Sequence, residues 1–121
     1  MIICSDIVPP VGSSPRPVHE IKATLFRVLG HPVRIRILEL LRDGEQSVGW
    51  LQSELGLGEG STSQHLAALR RIGFVEGRRQ GTTIFYRVDN PRVFDLLAAG
   101  RDIITAQLTD QQTLLRELKS S

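Results

Sequence analysis

Apolar residues recur at steps of three and four along most of this chain, and alternate with polar ones in one short stretch. From Val18 to Leu29, Ile21, Leu25, Val28 and Leu29 share a helical face, with Glu20, Lys22 and Arg27 between them. Gly30 ends that helix. Pro32 can open the next, because a first turn leaves its N–H unused in any case. The second helix, about Pro32 to Arg42, turns Val33, Ile37, Leu40 and Leu41 inward; Ile35 and Leu38 widen the stripe and make it central to the core. Asp43-Gly44 signals a turn. Ser47 can cap a third helix running to about Leu55, on Val48, Leu51 and Leu55. The Gly56-Leu57-Gly58 turn then leads into a fourth helix, about Glu59 to Ile72, with Leu66, Leu69 and Ile72 inside and Gly73 as a left-handed stop. Phe74-Val75-Glu76 starts a strand, Gln80-Gly81-Thr82 forms a tip, and Thr83 to Val88 alternates in β-favouring residues.

Two short helices joined by a glycine-rich turn, then a hairpin, predict a winged helix-turn-helix. The fold class is mainly α (α+β), with about five helices and a two-stranded β wing. A last helix spans about 91–118, where Val93, Leu97, Gly100, Ile104, Leu108, Gln111, Leu115 and Leu118 advance by threes and fours. Its length exceeds the surface that the remaining elements offer. Self-pairing across a two-fold axis, helped by Leu25 of the first helix, is therefore expected, with Val93, Leu97, Ile104, Leu108 and Leu115 at the contact. The alternative is a helix folded back on its own core. Residues 1–17, with prolines, a glycine and two serines between Pro9 and Pro15, are expected to be a flexible arm; 18–121 form the winged-helix domain with its C-terminal dimerisation helix.

Composition narrows the function. Hydrophobic and charged fractions of 40% and 23% suit an ordinary globular protein, and a formal net charge of +2 says little about partners. Its distribution says more: residues 70–92 hold six arginines (70, 71, 78, 79, 87 and 92) against Glu76 and Asp89, a local excess of four positive charges. A basic strip in a near-neutral chain points to nucleic acid. The single cysteine, Cys4, excludes an intramolecular disulfide and fits a reducing compartment. No apolar run is long enough to span a membrane, and the opening residues lack a basic region typical of a secretory signal, so a cytoplasmic protein is expected.

The candidate chemistry is recognition of double-stranded DNA. In a helix-turn-helix the start of the second helix meets base edges while cations and amides hold phosphates. Ser61, Thr62, Ser63, Gln64 and His65 crowd into that region. Glutamine can bond adenine in bidentate fashion, and the hydroxyls suit bases or phosphates; Ser61 or Thr62 could instead only cap the helix. Arg70 and Arg71 follow, one of them a candidate partner for Glu54 or Glu76. Arg78 and Arg79, nearest the wing tip, are the better phosphate candidates, while Arg87 could equally be structural. Glu59 suits the helix dipole but repels phosphate. An enzyme is not expected: Ser63 and His65, two positions apart on a helix, diverge.

Several of these motifs together resemble the ArsR-type (arsenic-repressor-like) family of winged-helix regulators. Leu29-Gly30-His31-Pro32-Val33-Arg34-Ile35-Arg36-Ile37-Leu38 resembles the family's entry to its second helix. Ser63-Gln64-His65-Leu66 and Leu69-Arg70-Arg71-Ile72-Gly73-Phe74-Val75 resemble its recognition helix and exit, and Gly77-Arg78-Arg79-Gln80-Gly81 with Phe85-Tyr86 its wing. The resemblance covers about Val18 to Leu118. It implies a homodimeric, cytoplasmic, DNA-binding regulator on a pseudo-palindromic operator, usually a repressor released by an inducer. Gly58, Glu59 and Gly60 depart from the Ser and Gln residues common there. The family's metal sites do not carry over: Ser47-Val48-Gly49-Trp50-Leu51 lacks the Cys-x-Cys type segment, and no histidine follows His65. No cofactor is expected, and Asp95, Asp102 and Asp110, or Cys4 with His19 and His31, are weak substitutes. Sensing is then left to a small organic effector, a partner sensor protein, or nothing. The alternative function is a winged-helix protein-interaction module that depends on such a partner.

Overall fold

The computed structural model describes residues 16–120, so Cys4 and all but the last two residues of the expected arm lie outside it. The described elements are α1 (Val18–Leu29), α2 (Pro32–Leu40), β1 (Gln46–Ser47), α3 (Val48–Leu55), α4 (Glu59–Arg71), β2 (Val75–Gln80), β3 (Thr83–Val88) and α5 (Arg92–Ser120). They fall into two compact units, one ending at Asn90 and the other beginning at Pro91.

Local chemistry sets the helix boundaries of the first unit. His31 caps α2: its Nδ1 accepts the Val33 N–H at 3.2 Å, with Pro32 in the first turn. Ser47 caps α3, its hydroxyl oxygen accepting the Trp50 N–H at 3.1 Å. Two glycines in left-handed backbone stop the helices that flank and complete the helix-turn-helix. At Gly56 (φ 66°), the Leu57 and Gly56 N–H groups return to the carbonyls of Gln52 and Ser53. At Gly73 (φ 80°), Phe74 and Gly73 return in the same way to Leu69 and Arg70. Both satisfy carbonyls that a helix end leaves over, and a side chain would be strained in that backbone.

The core joins Leu29 of α1, Ile37 and Leu38 of α2, Leu41, Leu51 of α3, Leu66 and Leu69 of α4, Ile72, Phe74, Val75 and Tyr86. In α2 the deepest residues are Ile37 and Leu38, whereas Leu40 and Val33, expected inside, are only half-buried. Removing these side chains from water supplies the main stabilisation, about 1.5–3 kcal/mol for each large apolar one.

The sheet has three strands rather than the two expected. β1, only two residues long, pairs antiparallel with β3 (Gln46 opposite Tyr86, Ser47 opposite Phe85), giving the order β1-β3-β2. Two residues carry no periodicity, and β1 merges in the sequence with the cap of α3. The hairpin itself is regular, with Val75 opposite Val88 and Gln80 opposite Thr83. In the second unit, α5 runs for 29 residues, about 43 Å at helical rise. Every residue from 101 to 120 is exposed, including Ile104, Leu108 and Leu115.

Candidate nucleic-acid interface

α4 is built to present one face and bury another. Its N-cap is Gly58, whose carbonyl accepts the first helical bond from the Thr62 N–H at 3.1 Å, and no side chain caps it. Neither Ser61 nor Thr62 therefore serves as the cap; both already lie inside the helix. Glu59 stands in the first turn, where a carboxylate complements the helix dipole. At 100° per residue, Thr62, Leu66 and Leu69 line one side and are fully buried. Gln64 and Arg71 fall on the opposite side and are exposed, with Ser61, Ser63 and Arg70 exposed on the flanks.

His65 lies between these faces, half-buried, and is held from two directions. Arg34 of α2 donates its Nε–H to His65 Nδ1 at 3.2 Å, and its Nη1 donates to the Val28 carbonyl of α1. The rings of His31 and His65 stand 4.3 Å apart between centroids. One guanidinium thus ties α1, α2 and α4 together. Burial, then the His31 ring and the Arg34 cation, push the His65 imidazole below its ordinary ionisation range.

On the wing, Arg78 of β2 sits opposite Phe85 of β3, which in turn sits opposite Ser47 of β1. The guanidinium lies 5.0 Å from the Phe85 ring centroid and reaches across to Glu45, just before β1. Its Nε donates to Glu45 Oε2 at 3.1 Å, its Nη2 to Oε1, and its Nη1 to Gln80 Oε1 at 2.8 Å. Arg78 holds the Glu45 carboxyl below the usual carboxylate range, and Glu45 in turn raises Arg78. Further along the same strands, Arg87 pairs with Glu76 at 2.8 Å.

Comparison with known proteins agrees with this architecture. The profile described as "Bacterial regulatory protein, arsR family" matches residues 31–77, from the cap of α2 into β2. Rv0081 of Mycobacterium tuberculosis, named as an HTH-type transcriptional regulator, is 41% identical over 105 residues, 86% of this chain and 92% of its own. The chain belongs to the arsR family of bacterial regulatory proteins. The crystal structure of Rv0081 matches this arsR-family chain with a TM-score of 0.73 at 42% identity, covering 79% of this chain and 97% of that one. The biofilm growth-associated repressor of Xylella fastidiosa strain 9a5c is 41% identical over 85 residues, 70% of this chain and 75% of its own. A solution NMR structure from Mycobacterium bovis, of a homodimeric winged helix-turn-helix DNA-binding domain, has a TM-score of 0.67 at 31% identity, covering 82% of this chain and 94% of that one.

In this arsR-family fold several candidate contacts change role. Thr62 is fully buried, and among the described residues its hydroxyl oxygen has no hydrogen-bond partner, so it cannot reach DNA. Helical geometry places it in register with Leu66 and Leu69. His65 is turned toward α1 and α2 instead of projecting outward. Arg87 is committed to Glu76 and Arg78 to Glu45, whereas Arg79 has no ion-pair partner among the described residues. Glu76 thus pairs with Arg87. Of the candidate dimerisation positions, Ile104, Leu108 and Leu115 are exposed, Leu25 and Leu97 half-buried, and Val93 buried. Glu45 and Arg34 received no role from sequence. Each acts on a residue more than thirty positions away, and only the placement of Arg34 within the family-like entry motif hinted at one. Among the described residues, no three His, Cys, Asp or Glu side chains gather where a metal ion could sit.

Proposed function

We propose that this arsR-family chain is a homodimeric, sequence-specific DNA-binding transcription regulator of the cytoplasm, acting as a repressor at a pseudo-palindromic operator. The outward face of α4 carries the proposal: Ser63 and Gln64 stand exposed and adjacent on a helix whose opposite side is anchored by buried leucines. Such a helix can enter a major groove without disturbing the core. Ser63 and Gln64 are the base-reading residues, with Ser61, Arg70, Arg71 and Arg79 directed at phosphates. The relatives named as repressors and the homodimeric neighbour support the repressor and dimer parts. So does α5, where Ile104, Leu108 and Leu115 are exposed at the three- and four-residue spacing of a paired helix. The regulator works without a resident metal, since the chain has one cysteine and no histidine after His65. Sensing falls to an organic effector, to a partner protein, or to neither.

The test is a binding titration on promoter fragments at several salt concentrations. Neutralising several phosphates makes the logarithm of affinity fall linearly with the logarithm of salt, by about 0.9 per phosphate. Salt-independent or undetectable duplex binding would overturn the reading in favour of a protein-binding module.

A further inference from the structure

We propose that Glu45 is a specificity-determining residue that gates the wing: its carboxylate occupies the guanidinium edge of Arg78 that a DNA phosphate would otherwise take. The inference rests on the DNA-binding reading above and deepens it.

The geometry leaves Arg78 little unengaged capacity. All three guanidinium nitrogens donate, Nε and Nη2 to the two oxygens of Glu45 and Nη1 to Gln80, while the planar group lies over Phe85. A carboxylate and a phosphate offer an arginine fork the same pair of oxygens, so Glu45 stands where a phosphate would stand. The strand order fixes the alignment, since Ser47, Phe85 and Arg78 lie abreast across the sheet and bring the residue before β1 within reach. The pair is nonetheless open to exchange. The Arg78 side chain is 51% exposed and that of Glu45 28%, and exposed pairs are weak in water. Arg87, which also acts on Glu45, is occupied by Glu76 on the same strands.

The wing therefore carries one cation that is always available, Arg79, and one that is released only when a phosphate displaces Glu45. On an arbitrary duplex, engaging Arg78 requires breaking its existing pair, which lowers non-specific affinity. On a site that holds α4 in the groove, the wing is kept against the backbone and the exchange goes forward.

A double-mutant cycle tests this with a short random-sequence duplex and with a genomic fragment selected by the wild type. Glu45→Gln should tighten binding to the random duplex by about three- to tenfold and steepen its salt slope by about 0.9 per subunit, one further phosphate each. It should improve the selected fragment less, so that discrimination falls. In an Arg78→Gln background the same change should shift affinity less than twofold. An equal gain in both backgrounds would show that Glu45 acts only as a repulsive charge, and no gain in either would show that it acts on nothing; both outcomes overturn the gate. Failure of every protein, the wild type included, to bind any duplex would instead remove the DNA-binding reading, and the gate with it.

Discussion

Arg34 of α2 donates its Nε–H to Nδ1 of His65 in α4 at 3.2 Å, so α4 is fixed to α2 by a bond that needs a neutral imidazole. A proton on Nδ1 would replace the acceptor with a second donor, facing a cation and the His31 ring.

This bond makes stability depend on mild acid. Because the folded protein lowers the ionisation of His65, the unfolded chain takes up a proton first as pH falls. Stability is complete above the ordinary histidine range, near 6.5, and declines as pH drops through it. The melting temperature should fall between about pH 7.5 and about pH 5.5, and fall less in His65→Gln, which keeps an acceptor for Arg34 without titrating. Parallel curves for the two proteins would refute the assignment.

Thr62 offers a test of burial. Its hydroxyl is sealed on the same side of α4 as Leu66 and Leu69 without a partner among the described residues, a situation that costs about 1–3 kcal/mol. Thr62→Val should stabilise by about 1 kcal/mol, raise the melting temperature by a few degrees and leave duplex affinity unchanged. A tenfold loss of binding would return Thr62 to the interface.

Gln64 and Arg79 should separate reading from holding. Gln64→Ala should cost about 1–3 kcal/mol at the preferred site and relax the preference at one base position. Arg79→Ala should weaken all sequences alike and lower the salt slope by about 0.9 per subunit. Competition between selected and scrambled duplexes distinguishes them, and a change of base preference in Arg79→Ala would reverse the roles.

Leu108 and Leu115 are exposed on α5. Replacing both by Glu would place carboxylates at a paired-helix seam, so sedimentation should show a monomer, with duplex affinity reduced more than tenfold. A dimer that survives both changes would move the two-fold contact away from this helix.

Periodicity made α1 to α5 and the hairpin legible, because helices and strands record their buried face every three to four or every two residues. The stops at Gly56 and Gly73, the caps at His31 and Ser47, and the Ser63-Gln64 surface are likewise written in local residue order, since each bond closes within a few positions. What the chain alone left open was which charges remain available. A run of six arginines reads as a uniform basic strip, yet Arg78 is engaged by Glu45, 33 residues away, and Arg87 by Glu76 across the hairpin. Strand β1, too short to carry a pattern, sets the first of those meetings. Thr62 and His65 were decided the same way, by helices packed against α4 and not by their neighbours in sequence. Local backbone chemistry specifies the elements; the pairing of distant side chains exists only once those elements are docked.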